Sequence, residues 1–402
     1  MDSNSDPKSF LLLLFNELLS EILLLLPIKT LMQMKCVCKS LKTLISDPAF
    51  VKLHLQRSSL NTHLALIPDW STMPDQDKDC SFVPVPTSRL IEDPNITIHY
   101  DPYYRLADMD CRSVVGSCNG LICLLDYSYT TDHRHTWIRF WNPATNKLSE
   151  KLGYLCHDRH NSVSDFFRFT FGYDITNDIY KVVAFSINKV KVFDFGGNVW
   201  RNIQSFPVVP FDLEPSKLHC HPFVNDGVYV SGTINWLAIR NKTEYEWDDI
   251  TIEQFVIVSL DLATETYQQL LPPSGFVEVP SVEPSVTVLM DCLCFSHRFE
   301  ETHFVLWKMM EFGVQESWTQ FLKISFQDLQ IDYGISNWYA YDWQLFLFPL
   351  CASDSSNTLI MAGNRGSIRP TGPSNLVHGS VLASSGSNTL PIAVVGEGAG
   401  TT

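Results

Sequence analysis

Two hydrophobic periods divide the chain. Between residues 16 and 54 apolar positions recur at helical spacing; from residue 113 onward they fall in short runs broken by turn residues. In the first stretch Asn16 is a good N-cap, and Glu17 and Glu21 stand where a helix dipole favours negative charge. Leu18, Leu19, Ile22, Leu23, Leu25 and Leu26 follow, more apolar surface than one face of a surface helix needs. Pro27 ends this helix and moves Leu26 out of helical backbone geometry. Thr30 is expected to cap a second helix carrying Leu31, Met34, Val37, Cys38, Leu41, Leu44 and Ile45. Asp47-Pro48, a cap followed by proline at the first helical position, starts a third, with Ala49, Phe50, Leu53 and Leu55. Three short helices in about forty residues cannot bury so many leucines alone, so the surplus predicts a partner or burial against the rest of the chain.

The second region repeats a unit: an apolar strand, a tight turn, and a strand opening on a bulky residue. It reads IRFWNPATNKL, VKVFDFGGNVW and IVSLDLATETY, with a looser copy VLWKMMEFGVQESW. Asn142, Asp194 and Asp261 suit the turn because their side chains bond the backbone just beyond. Leu148, Trp200, Tyr267 and Trp318 close the four copies. A hairpin-like stretch precedes each: VVGSCNGLICLL, FGYDITNDIYKVV, GVYVSGTINWLA and VTVLMDCLCFS. Each repeat is thus two hairpins, or about four strands, and a period near fifty residues points to kelch-like propeller blades. A β-sandwich of similar strands is the alternative.

The segment order follows. Residues 1–9 are polar and expected to be disordered; 10–57 form the helical module; 58–112 are a connector with short strands at 63–67 and 96–100; 113–363 form the β domain; 364–402, rich in Gly, Ser, Thr and Ala, are expected to be disordered. The fold class is therefore α+β and multidomain. The tail has no aromatic run to finish a sheet, so the last blade is expected to be incomplete, with an open edge.

Charge changes the picture in one respect. The formal net charge is −15, which repels phosphate backbones, and no basic stripe with interleaved aromatics offsets it, so nucleic acid is not an expected partner. The first sixty residues nonetheless run basic, through Lys29, Lys35, Lys39, Lys42, Lys52 and Arg57. Eleven cysteines, an odd number without scaffold spacing, read as reduced and mostly buried. Charged residues interrupt the apolar run 10–28 and no cleavage site ends it, so neither a membrane span nor a signal peptide is expected. Cytoplasm or nucleus is the expected location.

No constellation for catalysis stands out. Residues 116–120, GSCNG, lack the order of a nucleophile elbow and sit between strands. His219-Cys220-His221 and His133-x-His135 have no partner cluster at metal-ligand spacing. Asp174, Asp178, Asp194, Asp212, Asp226 and Asp261 read as turn formers, and Trp141, Trp200, Trp236, Trp307 and Trp318 as core. No cofactor, no metal and no enzymatic activity are expected.

The helical stretch, EL..EIL..LPIK.L...KCVCKS...LISDP.F...HL, resembles the F-box motif of plant F-box proteins. It departs from the motif where Leu14-Phe15 replaces a usual Leu-Pro and Leu41 a usual Trp. The resemblance implies docking onto a Skp-type adaptor, and through it a cullin ubiquitin ligase. Carried over by position, the docking surface would comprise Leu18, Ile22, Leu23, Pro27, Ile28, Leu31, Val37 and Cys38. The ordered pieces VVGSCNGLICL, FWNPATNK, V.VFD....W, G.INWLA and VSLDL.TE are similar to the F-box-associated interaction domain of F-box/kelch-repeat proteins, over about 113–349. That domain recognises target proteins for ubiquitination. The implied role is a non-catalytic substrate-recognition adaptor whose target is unknown. A propeller that binds or modifies a small molecule, with the helices as a cap, and a degenerate member of the F-box family are the alternatives. The loops 241–251 and 272–285 and the connector 68–112 are the expected variable contacts, by length and polarity.

Overall fold

The computed structural model describes residues 17–58, 63–66, 80–81, 83–86, 105–106, 113–158, 167–208, 210, 227–240, 247–328, 347–353, 358–363 and 392–396. Asn16, Phe15, His219-Cys220-His221, Asp212, Asp226 and the expected strand at 96–100 lie outside them.

The helical module has four helices among the described residues, where three were expected. Helix α1 covers 17–24, α2 Ile28–Met34, α3 Lys39–Ile45 and α4 Pro48–Ser58. Thr30 does not cap α2. Pro27, extended at ψ 148°, takes the N-cap position without a side-chain bond, so the residue that ends α1 also starts α2. The expected second helix divides at 35–37. There the amides of Cys36 and Val37 bond only three residues back, and Cys38 turns extended at φ −154°. The Cys38 sulfur then accepts from the Leu41 amide at 3.5 Å, which begins a new helix in place of continuing the old one. Asp47 caps α4 as expected, its Oδ1 accepting from Ala49 at 2.8 Å and Phe50 at 3.3 Å.

Two small sheets lie in the connector: His63–Leu66 pairs with Val83–Pro86, and Cys80–Ser81 with Arg105–Leu106. Four antiparallel sheets then succeed one another, each strand pairing with the next in the chain. Sheet 1 holds Ser113–Cys118, Leu121–Tyr129, His133–Asn142 and Lys147–Leu148, with a fifth strand, Leu152–Asp158, also on the third. Sheet 2 holds Arg168–Asp174, Ile179–Phe185, Val190–Asp194 and Trp200–Ile203. Sheet 3 holds Val228–Val230, Thr233–Ile239, Phe255–Asp261 and Tyr267–Leu270. Sheet 4 holds Ser285–Leu289, Cys292–Phe299, His303–Met309 and Trp318–Ser325.

The repeat read from sequence is the repeat of the fold. Each closing residue pairs across to the residue just before the turn: Leu148 with Trp141, Trp200 with Phe193, Tyr267 with Leu260, Trp318 with Met309. The opening hairpins of sheets 1, 3 and 4 turn on two residues with positive φ: Asn119-Gly120, Ser231-Gly232 and Met290-Asp291. That geometry matches the right-handed twist of paired strands.

The first strand of each of these four sheets lies against the first strand of the next, and that of sheet 4 lies against a further strand, Leu347–Ser353. Packed cores lie between successive sheets. Phe140, Phe171 and Phe193 fill the space between sheets 1 and 2, Trp236 and Leu260 that between 2 and 3, and Phe255, Phe276 and Phe295 that between 3 and 4. This serial packing is propeller-like, and the sandwich alternative does not describe it.

Sheet 5 has three described strands, Leu347–Ser353, Thr358–Gly363 and Ile392–Gly396, the last running parallel. Its last strand corrects the expectation of disorder for those five residues of the 364–402 tail. Ile392, Ala393, Val394 and Val395 form an apolar, largely β-branched run with strand chemistry.

Candidate functional site

The helical module builds an apolar face on a small core. Leu23, Leu24, Leu31, Ile45 and Phe50 pack together, with Leu19, Leu41 and Leu44 partly buried around them. Two contacts brace α4 against the end of α1: the His54 ring at 3.0 Å from the Leu26 carbonyl, and Arg57 paired with Glu21 at 2.7 Å. With that core filled, the remaining leucines have nowhere to go. Leu18, Ile22 and Leu25, spaced four and three apart, are 61, 60 and 76 % exposed along one stripe of α1. Ile28 at the start of α2 and Val37 in the turn after it are exposed as well, as are Pro27 and Cys38.

Six of the eight residues carried over from the motif therefore lie on the surface: Leu18, Ile22, Pro27, Ile28, Val37 and Cys38. Leu23 and Leu31 do not; both belong to the core and shape the face from beneath. One helical step of about 100° separates Leu23 from Ile22 and turns it inward. Leu25, Val51 and Leu53 are exposed apolar positions that the motif did not single out, although the surplus of leucines signalled Leu25.

The β domain carries no set of residues arranged for catalysis among those described. Residues 116–118 end a strand and 119–120 form its hairpin turn. Cys118 is buried, and that burial pushes its thiol up to about 12, far from a reactive thiolate. His133 and His135 share a strand with their rings 6.2 Å apart, and no group of three or more metal-binding side chains occurs among the described residues. Cysteines 36, 38 and 156 are exposed, where the sequence suggested mostly buried ones. Asp174 and Asp261 form turns as expected, each Oδ1 accepting from two amides beyond it. Asp194 instead takes the side chain of Arg201.

The expected contact loops are only partly described. Residues 241–246 lie outside, and Trp247 donates its indole N–H to the Pro280 carbonyl at 2.8 Å. The 272–285 connector packs back on sheet 4: Phe276 and Val282 are buried, and Ser281 Oγ donates to Glu301 at 2.6 Å. Val277 is left exposed there. At the opposite ends of the strands, Lys52 of α4 lies 3.8 Å from Asp178 in the first turn of sheet 2, both well exposed.

A helical module with an open apolar face, followed by serial four-stranded sheets, defines a two-part recognition protein. Comparison with known proteins says which one. Residues 11–53 match the F-box domain, and residues 78–371 match the F-box associated beta propeller domain. The chain is 28 % identical to the F-box/kelch-repeat protein At3g23880 of Arabidopsis thaliana over 329 residues, 77 % of this chain and 78 % of that one. It is 25 % identical to the F-box protein CPR1 of the same plant, over 76 % of this chain and 71 % of that one. The chain belongs to the plant F-box proteins that carry an F-box associated beta propeller domain. The domain match begins at 78, inside the span read as connector, and ends at 371, so the strand at Ile392–Gly396 lies beyond it.

Proposed function

We propose that the chain is the substrate-recognition subunit of a Skp–cullin–F-box ubiquitin ligase. The helical module, residues 10–57, docks a Skp-type adaptor and through it a cullin. The β domain, 113–363, holds a target protein. The observation that carries this reading is the stripe of Leu18, Ile22, Leu25, Ile28 and Val37, left open to solvent after the module's core is complete. A structural cap would bury that face against the sheets. The basic residues beside it, Lys29, Lys35, Lys39 and Lys42, suit an acidic adaptor.

The subunit performs no covalent step in this reading. It raises the effective concentration of target lysines near the charged conjugating enzyme. Such a task belongs to cytoplasm or nucleus and calls for no cofactor, membrane or nucleic acid.

Co-purification with a plant Skp-type adaptor tests the proposal. The full chain is compared with Ile22→Asp and with Pro27→Ala/Ile28→Asp, all at exposed positions whose change leaves the module's core intact. Capture of the wild type and loss with both variants is expected. Equal capture of all three, or none by a folded wild type, overturns it.

A further inference from the structure

The third strands of sheets 1 to 4 are built alike. His133–Asn142, Val190–Asp194, Phe255–Asp261 and His303–Met309 each run antiparallel to the second strand of their sheet. Each carries an apolar run: WIRFW, VKVF, FVIVSL and FVLWKM.

Sheet 5 departs from this. Its second strand, Thr358–Gly363, receives Ile392–Gly396 in the third place, with Leu359 in register with Ile392 and Met361 with Val394. This is the one parallel pair among the described strands. Parallel pairing is slightly weaker per residue than antiparallel pairing. The five residues are joined to the sheet only through 364–391, which adds loop-closure entropy to the cost of seating them. They also lie beyond residue 371, where the match to the F-box associated domain ends. The strand beside them is fixed: Leu359 and Met361 are fully buried in one core with Leu289, Cys294 and Leu306 of sheet 4. A rigid strand with a weakly held neighbour is a template for another strand.

We propose that the outer edge of Thr358–Gly363 is a strand-pairing site for the target protein, and that Ile392–Gly396 is the chain's own competitor for it. This rests on the reading of the β domain as the target-binding part. The occupant is an extended apolar segment of the target, rich in β-branched and aromatic side chains and running antiparallel. That is the chemistry and the direction of the four third strands above. Main-chain hydrogen bonds along the edge hold the segment, and the tail strand leaves before it enters.

The test compares the full chain with Val394→Pro/Val395→Pro. Successive amides point to opposite sides of a strand, so one of the two prolines removes a ladder donor and releases the tail. The probe is a fluorescently labelled peptide of residues 189–195, KVKVFDF, which contains the third strand of sheet 2. Polarisation will show it binding the variant about tenfold more tightly than the wild type, because the tethered tail competes at high effective concentration. The bound peptide will slow hydrogen–deuterium exchange of Thr358–Gly363. Equal affinity for the two chains, no binding to either, or slowed exchange elsewhere alone overturns the proposal. If the variant does not fold, exchange in the wild type decides: Ile392–Gly396 must exchange more slowly than an unpaired segment and ahead of Thr358–Gly363. Exchange at the unpaired rate, or in step with Thr358–Gly363, overturns it. Both chains keep the helical face, so a Skp-type adaptor is captured by both; failed capture strikes the adaptor reading, whereas failed peptide binding strikes only the strand-pairing site.

Discussion

Lys181 is the residue on which sheets 2 and 3 meet. Its ammonium is buried and lies 3.0 Å from Asp174, 3.1 Å from Glu265 and 3.9 Å from Asp194, while donating to the Leu262 carbonyl. Arg201 completes the cluster against Asp194 and Glu265. Burial alone would raise Asp174, but bonds from Asn177 and Lys181 outweigh it and hold the carboxyl below its usual range. Replacing Lys181 by Met leaves buried charge uncompensated and is expected to cost about 3 kcal/mol, measured as a shift of the urea midpoint. No loss would mean that the carboxylates reach water. His297 gives a pH dependence. Buried among Phe276 and Phe295, with Nε2 accepting from Trp307, it is pushed down from 6.5 to about 4 by burial. Its neutral form is the one that fits. Stability is therefore full above about pH 6.5 and falls toward pH 4, by up to about 3 kcal/mol, because the unfolded chain takes up the proton first. Urea midpoints across that range will fall for the wild type relative to His297→Phe as the pH drops from 6.5 to 4; parallel curves would exclude His297 as the source.

At the scale of the element, turn chemistry decides where strands reverse. Gly120 sits at φ +74° with open space where a Cβ would be. Gly120→Ala therefore isolates backbone strain from packing and is expected to cost about 1 kcal/mol in thermal unfolding. A loss several times larger would point to an unrecognised contact. Much of this level was legible in the residues. The Asn142, Asp194 and Asp261 turns, the closing residues and the opening hairpins all fall where the sequence placed them, because a hairpin is a local object. The helical module was read less well. Its second helix divides at Cys38, and periodicity cannot detect a break when the apolar spacing continues across it. Leu23 and Leu31 show the same limit: the motif marks them as important, and only the packed core shows that they point inward.

At the scale of the whole molecule, the F-box and the β domain have different stability logic. The module of 17–58 leaves a large share of its apolar residues on the surface, while the sheets bury theirs in successive cores. Unfolding is expected in two steps, the helices first. A Skp-type adaptor at a hundred times its dissociation constant will raise the first step alone, by about 2.7 kcal/mol, followed by helical circular dichroism against tryptophan fluorescence. A single transition raised as a unit would show that the module is fused to the sheets.

Read along the chain, the residues carry the two-part organisation, the four-strand repeat and its turns, each of which rests on the spacing of neighbours, while the family of the helices follows from their resemblance to the F-box motif. The pairings between sheets belong to the folded molecule alone: Lys181 with Glu265, Trp200 with Gly153, Tyr267 with Gln204 and Trp318 with Leu271. These partners lie tens of residues apart, and no local period records which carbonyl a buried indole or phenol will meet. Their choice follows from how one twisted sheet seats against the next.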